Sequence, residues 1–118
     1  MKEIIRNSYL ENENILIVGY GKSGVKSSEL AKRLGATVFV YDDNKDIEVN
    51  KEVVDKVYNN IEDIDFSNIN ITVLSPGVPL ESDIAQKSIK SGVETIGEIE
   101  FGFRYSYRNN TCNNRNKW

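Results

Sequence analysis

Histidine is absent from the 118 residues, and cysteine, methionine and tryptophan occur once each. Without histidine, the commonest general base and the commonest metal ligand are both missing. A lone cysteine, Cys112, excludes an internal disulfide and is read as an inert thiol. No apolar run approaches the roughly 20 residues that a membrane-spanning helix needs. Residues 1–14 carry charges but no apolar stretch of the kind a signal peptide requires. The chain is therefore read as cytoplasmic, with no membrane partner. A basic excess is also missing: 15 Lys and Arg stand against 18 Asp and Glu, a net charge of -3. That balance argues against non-specific nucleic-acid binding.

What remains is the composition of one soluble globular domain, large enough to bury roughly two-thirds of its unfolded surface. Ile15-Leu16-Ile17-Val18 is a continuous apolar run ended by glycine, which predicts a strand buried on both faces. Val25 to Leu34 places Val25, Leu30, Ala31 and Leu34 at near-helical spacing, with Gly35 as the stop. Thr37 to Tyr41 is a second, β-branched strand, ending at Asp42-Asp43-Asn44. Ile47 to Val57 has a weak helical pattern, while Lys56 to Asn59 fits a short strand; the spacing does not separate the two. Ile61 to Phe66 reads as an acidic turn or short helix, and Ile69 to Leu74 as a further strand. Ser82 to Ser91 predicts a helix closed by Gly92, Val93 to Ile96 a short strand, and Gly97 to Phe103 the opening of another helix. This alternation predicts an α/β fold. The expected form is a Rossmann-like open parallel sheet of about five strands with helices on both faces.

Ligands of such sheets sit beyond the carboxyl ends of the strands, and three motifs fall there. Gly19-Tyr20-Gly21-Lys22-Ser23-Gly24 matches G-x-G-x-x-G between a strand and a helix. Gly19 permits the tight turn, Gly21 lets the backbone approach a phosphate, and Gly24 lets helix and strand pack closely. The helix start offers unpaired N–H groups to an anion; Lys22 adds a cation and Ser23 a hydroxyl donor. Asp42, at the tip of the second strand, is placed to accept hydrogen bonds from ribose hydroxyls or a base N–H, although Asp42-Asp43-Asn44 is also good turn chemistry. Ser75-Pro76-Gly77-Val78-Pro79 closes the third clear strand and can form a second wall, with the Gly77 N–H uncovered. A small NAD-binding or nucleotide-sensing regulatory module shares the glycine loop and Asp42. It does not account for Ser75 to Gly77 or for Gly97 to Phe101.

Taken in order and spacing, the glycine loop, Tyr41-Asp42, Ser75-Pro76-Gly77-Val78 and Gly97-Glu98-Ile99-Glu100-Phe101 resemble the Mur ligases that add D-glutamate during peptidoglycan synthesis. The resemblance covers about Ile15 to Tyr105. It implies a first domain that binds the UDP part of UDP-N-acetylmuramoyl-L-alanine and not a nicotinamide. Lys22 and Ser23 would line the nucleotide, Asp42 would meet the uracil with Asp43 beside it, and Ser75, Pro76 and Gly77 would approach the pyrophosphate and muramoyl side. Family members often carry a small hydroxyl residue and then a basic one where this chain has Asp43 and Asn44. Glu98 and Glu100 are read as first-turn acids of a helix. The family reaction makes an acyl phosphate with ATP and Mg²⁺, then lets the D-glutamate amine attack it. Those groups belong to a second and a third domain, so no cofactor and no catalytic residue is expected here.

Residues 1–105 are read as the UDP-substrate-binding domain and 106–118 as an asparagine-rich tail, expected to be disordered. Read one base later, codons compatible with residues 109–118 permit Ile-Ile-Leu-Val-Ile-Thr-Gly-Thr-Asn-Gly, the strand and opening of an ATP phosphate loop. A slipped reading frame near Tyr105 to Arg108 is therefore expected. The gene read in the shifted frame should continue with Lys and then Thr or Ser; a stop codon there would contradict it.

Overall fold

The structure, a computed structural model, describes residues 9–109, with side chains as far as Tyr105. Five strands form one sheet in the order β3-β2-β1-β4-β5, where β1 is Asn14–Val18, β2 Thr37–Tyr41, β3 Lys56–Tyr58, β4 Ile71–Leu74 and β5 Glu94–Gly97. Every neighbouring pair is parallel. Three helices accompany them: α1 Lys22–Arg33, α2 Asp83–Lys90 and α3 Glu98–Asn109. The expected α/β class, strand number and two-sided helix cover all hold. The last turn of α3 lies in the segment read as tail, and residues 110–118 lie outside the described residues.

Side chains alternate across a strand, so a central strand must supply two cores at once. In β1, Ile15 and Ile17 enter one core with Leu30, Leu34 and Phe101. Leu16 and Val18 enter the other, with Phe66, Leu74, Ile84 and Ala85. The first core lies under α1 and α3, the second under α2 and the 3-10 turns Ile61–Asp63 and Phe66–Asn68. Phe101 is fully buried and seats α3. Loss of an aromatic of this kind costs about 3–5 kcal/mol.

Both α1 and α2 stop the same way. Gly35 adopts φ +99°, its N–H bonds to the Lys32 carbonyl at 3.0 Å and the Ala36 N–H to Ala31 at 3.0 Å. Gly92 and Val93 repeat the pattern on Ile89 and Ser88. This paired closure reverses the chain directly into β2 and β5. A hydroxyl chain adds to the seat of α2: the buried Ser88 hydroxyl donates to Thr72 Oγ1 at 2.8 Å and lies 2.8 Å from Thr95 Oγ1.

The connection from β2 to β3 differs from strict alternation. Residues 42–55 form turns and extended chain with no helix, and the strand alternative at 56–58 is the one realised. Val54 is buried and Ile47, Val49 and Val53 pack on the first core, covering the face a crossover helix would have covered. Asp55 holds this connector down. Its carboxylate accepts from the Val38 N–H at 2.8 Å and from the Lys32 ammonium at 2.7 Å, while its own N–H bonds to the Val38 carbonyl at 2.8 Å. Burial pushes the Asp55 carboxyl up, but the bonds from Lys32 and Val38 and the ammonium charge outweigh it, so it lies below its ordinary value.

A carboxyl held low in the folded state stabilises above its unfolded pKa and loses that contribution as pH falls through its folded value. The pair is partly exposed, so screening keeps the effect small. Asp55→Asn should cost about 1 kcal/mol at neutral pH in urea unfolding, and the deficit should shrink as pH falls below about 4.

Candidate functional site

In this strand order, the chain runs outward from β1 in both directions, and the crevice between the β1 and β4 loops is the switch point at which such sheets take ligands. A cleft of about 500 Å³ opens there. Gly19 and Gly21 line it from the first loop, Asp42 and Asp43 from the second, and Ser75 and Gly77 from the fourth strand's loop.

Helix α1 starts earlier than the apolar spacing predicts. Gly21 is its N-cap, so Lys22, Ser23 and Gly24 form its first turn. The first intrahelical bond joins the Val25 N–H to the Gly21 carbonyl at 2.9 Å. The three amides before it have no helical partner. Gly21 brings no side-chain cap, and no acid stands in the first turn. These amides are therefore a place for an anion. Lys22 and Ser23 sit beside the cleft rather than among its lining residues. Pro76 turns away into an adjoining groove with Leu74, Leu80 and Ile99.

Two long-range bonds hold the glycine loop. The Tyr20 N–H donates to Asp42 Oδ2 at 2.9 Å, and the Ser75 hydroxyl donates to the Gly19 carbonyl at 2.9 Å. Asp42 Oδ1 also accepts from the Asn44 N–H at 2.9 Å, and Asn59 Nδ2 donates to the Asp42 carbonyl at 2.9 Å. The acid read as a ligand contact is thus first a clamp on the loop. Each of its oxygens keeps one further lone pair for a ligand donor. Burial pushes the Tyr41 phenol up, and the carboxylates of Asp43, Asp42 and Glu62 push it further.

Val78 and Pro79 line the cleft as part of the second wall expected after β4, whereas Ile61, Ser82, Asp83 and Ile84 of the far wall were not foreseen. Ser82 caps α2 by accepting from the Ala85 N–H at 3.4 Å, a capping signal visible in the sequence. Ile61, on a 3-10 turn, gave no pattern that points to a site.

The glycines divide by what they touch. A Cβ at Gly24 would collide with the Gly19 carbonyl, and Gly19 has φ +92° with the Ser75 hydroxyl against any Cβ. A Cβ at Gly21 or Gly77 would meet nothing within 4 Å, and neither has positive φ. Packing demands the first pair and leaves the second open toward the cleft. Gly24→Ala should lower stability by about 1–3 kcal/mol. Gly21→Ala should cost under about 1 kcal/mol, the difference between the two residues as caps. Thermal melts of the two variants check this.

The profile of the Mur ligase MurD-like N-terminal domain family matches residues 13–97. UDP-N-acetylmuramoylalanine–D-glutamate ligase of Caldicellulosiruptor saccharolyticus is 34% identical over 104 residues, covering 81% of this chain and 23% of the relative. The ligase of the same name from Thermoanaerobacter sp. is 32% identical over 105 residues, covering 82% and 23%. That from Staphylococcus aureus is 34% identical over 104 residues, again covering 82% and 23%. The chain thus spans under a quarter of the length of these relatives. A crystal structure of shikimate dehydrogenase from Aquifex aeolicus superposes with a TM-score of 0.49 at 15% identity, over 87% of this chain and 55% of that one, a likeness too slight to bear on function. The profile match, with these relatives, places this chain in the MurD-like N-terminal domain family of the Mur ligases.

Proposed function

We propose that the cleft binds the UDP part of UDP-N-acetylmuramoyl-L-alanine and that the chain serves as the substrate-binding domain of a D-glutamate-adding ligase. One observation carries this reading: Gly21 and Gly77, both with open space at the Cβ position, line one cleft that opens beside the free amides of α1. Those amides would donate hydrogen bonds to the diphosphate. Asp42 and Asp43 would take N–H or O–H donors of the uridine, and the wall of Val78, Ile84 and Ile61 would cover its apolar surface.

The chemistry of the relatives' reaction has no counterpart among the described residues. Their only glycine loop contains Gly21-Lys22-Ser23, but Leu16 stands where the G-x-x-x-x-G-K-[ST] pattern of an ATP phosphate loop places its first glycine. They contain no group of three or more acids, histidines or cysteines able to hold a metal ion. We therefore assign this chain binding and no step of phosphoryl or acyl transfer. Among the described residues no helix is long and apolar enough to cross a membrane, in keeping with a substrate met in water.

The competing reading, an NAD-binding regulatory module, shares the glycine loop. Calorimetry distinguishes them. UDP-N-acetylmuramoyl-L-alanine should bind measurably and NAD should not, with affinity lower than a full-length relative's because domain closure contributes the remaining contacts. Gly21→Ala should weaken binding about tenfold, as a methyl between the amides and the phosphate breaks short hydrogen bonds. Tighter binding of NAD would overturn the assignment. The purified chain should not hydrolyse ATP in a phosphate-release assay.

A further inference from the structure

The cleft is lined by three carboxylates, those of Asp42, Asp43 and Asp83, and by no lysine or arginine. Lys22 stands beside it, exposed at the first position of α1. An anion entering here meets attractive amides at short range and an acidic rim at longer range.

The three acids are not equivalent. Asp42 clamps the glycine loop through Tyr20 and its own turn through Asn44. Asp83 occupies the first turn of α2, where an acid complements the helix dipole. Asp43 has no such duty. It is exposed, and among the described residues its carboxylate makes no hydrogen bond or ion pair. The groups around it are already satisfied: Asn59 donates to the Asp42 carbonyl, and the Asn44 side chain accepts from the Asp46 N–H. The turn needs no acid at position 43, yet this acid faces the cleft. Its field reaches the cleft wall, since it is the foremost charge among those raising the Tyr41 phenol.

We infer that Asp43 is a specificity determinant that sets the charge preference of the cleft, disfavouring added negative charge on the ligand while accepting hydrogen bonds from the uncharged nucleoside end. This rests on the reading of the cleft as a UDP site. The attraction comes from amide hydrogen bonds, which salt screens little. The repulsion acts through solvent over several ångströms and is screened within a Debye length of roughly 10 Å at 0.1 M salt. Affinity for a diphosphate should therefore rise with ionic strength, the reverse of an ordinary basic phosphate site.

The test is calorimetry of UDP with the full chain at about 20 mM and about 200 mM NaCl. The wild type is compared with Asp43→Asn and with Glu29→Gln, a charge change on α1 outside the cleft lining. The wild type should bind a few-fold more tightly at the higher salt. Asp43→Asn should bind a few-fold more tightly than wild type at low salt, with the gap closing at high salt. Glu29→Gln should follow the wild type. Wild-type affinity that falls with salt, or an Asp43→Asn variant no tighter than Glu29→Gln, would overturn the role of Asp43 while leaving the UDP site standing. No heat from any of the proteins at either salt would remove the UDP reading itself, and this inference with it.

Discussion

The bond from the Tyr20 amide to the Asp42 carboxylate, matched by the bond from the Ser75 hydroxyl to the Gly19 carbonyl, is the constraint on which the site depends. It joins the ends of β1, β2 and β4, three strands whose order the sheet fixes but whose loops it does not. Each bond contributes about 1 kcal/mol. Their larger effect is geometric. With the loop gripped on both sides, Gly21 becomes the cap of α1, and the following amides face outward without a partner. A loop free to wander would have to be ordered by the ligand, at the expense of affinity.

The same constraint explains the division among the glycines. Gly19 and Gly24 are required from within, by a positive φ, by the Ser75 hydroxyl and by a backbone carbonyl that leaves no room for a methyl. Gly21 and Gly77 have open space in front of them, and that space is the cleft. The glycines of one string, Gly19, Gly21 and Gly24, thus stand there for different reasons, and Gly21 shares its open side with Gly77 of the loop after β4.

Much of this was legible in the residues. The run Ile15 to Val18 reads as a two-faced strand because both of its faces are buried, and Gly35 and Gly92 read as helix stops because the paired closures require them. The placement of Asp42 at a strand tip was also readable. Its principal partner was not, because a backbone amide leaves no trace in a sequence. The connector 42–55 resisted for a different reason. Ile47, Val49, Val53 and Val54 cover a sheet face as irregular chain, so their spacing follows neither a helix nor a strand. The wall of Tyr41, Ile61 and Ile84 depends on how α2 and a 3-10 turn settle on the second core, which local pattern does not encode.

The central claim is that the amides at the start of α1 and the loop after β4 receive the diphosphate together. Amide chemical-shift mapping during titration with UDP tests it most directly. The account predicts the largest shifts at Gly21, Lys22, Ser23 and Gly77, with Tyr20 following because its amide is tied to Asp42. Shifts confined to the α1–α3 face, with Gly21 and Gly77 unmoved, would contradict it.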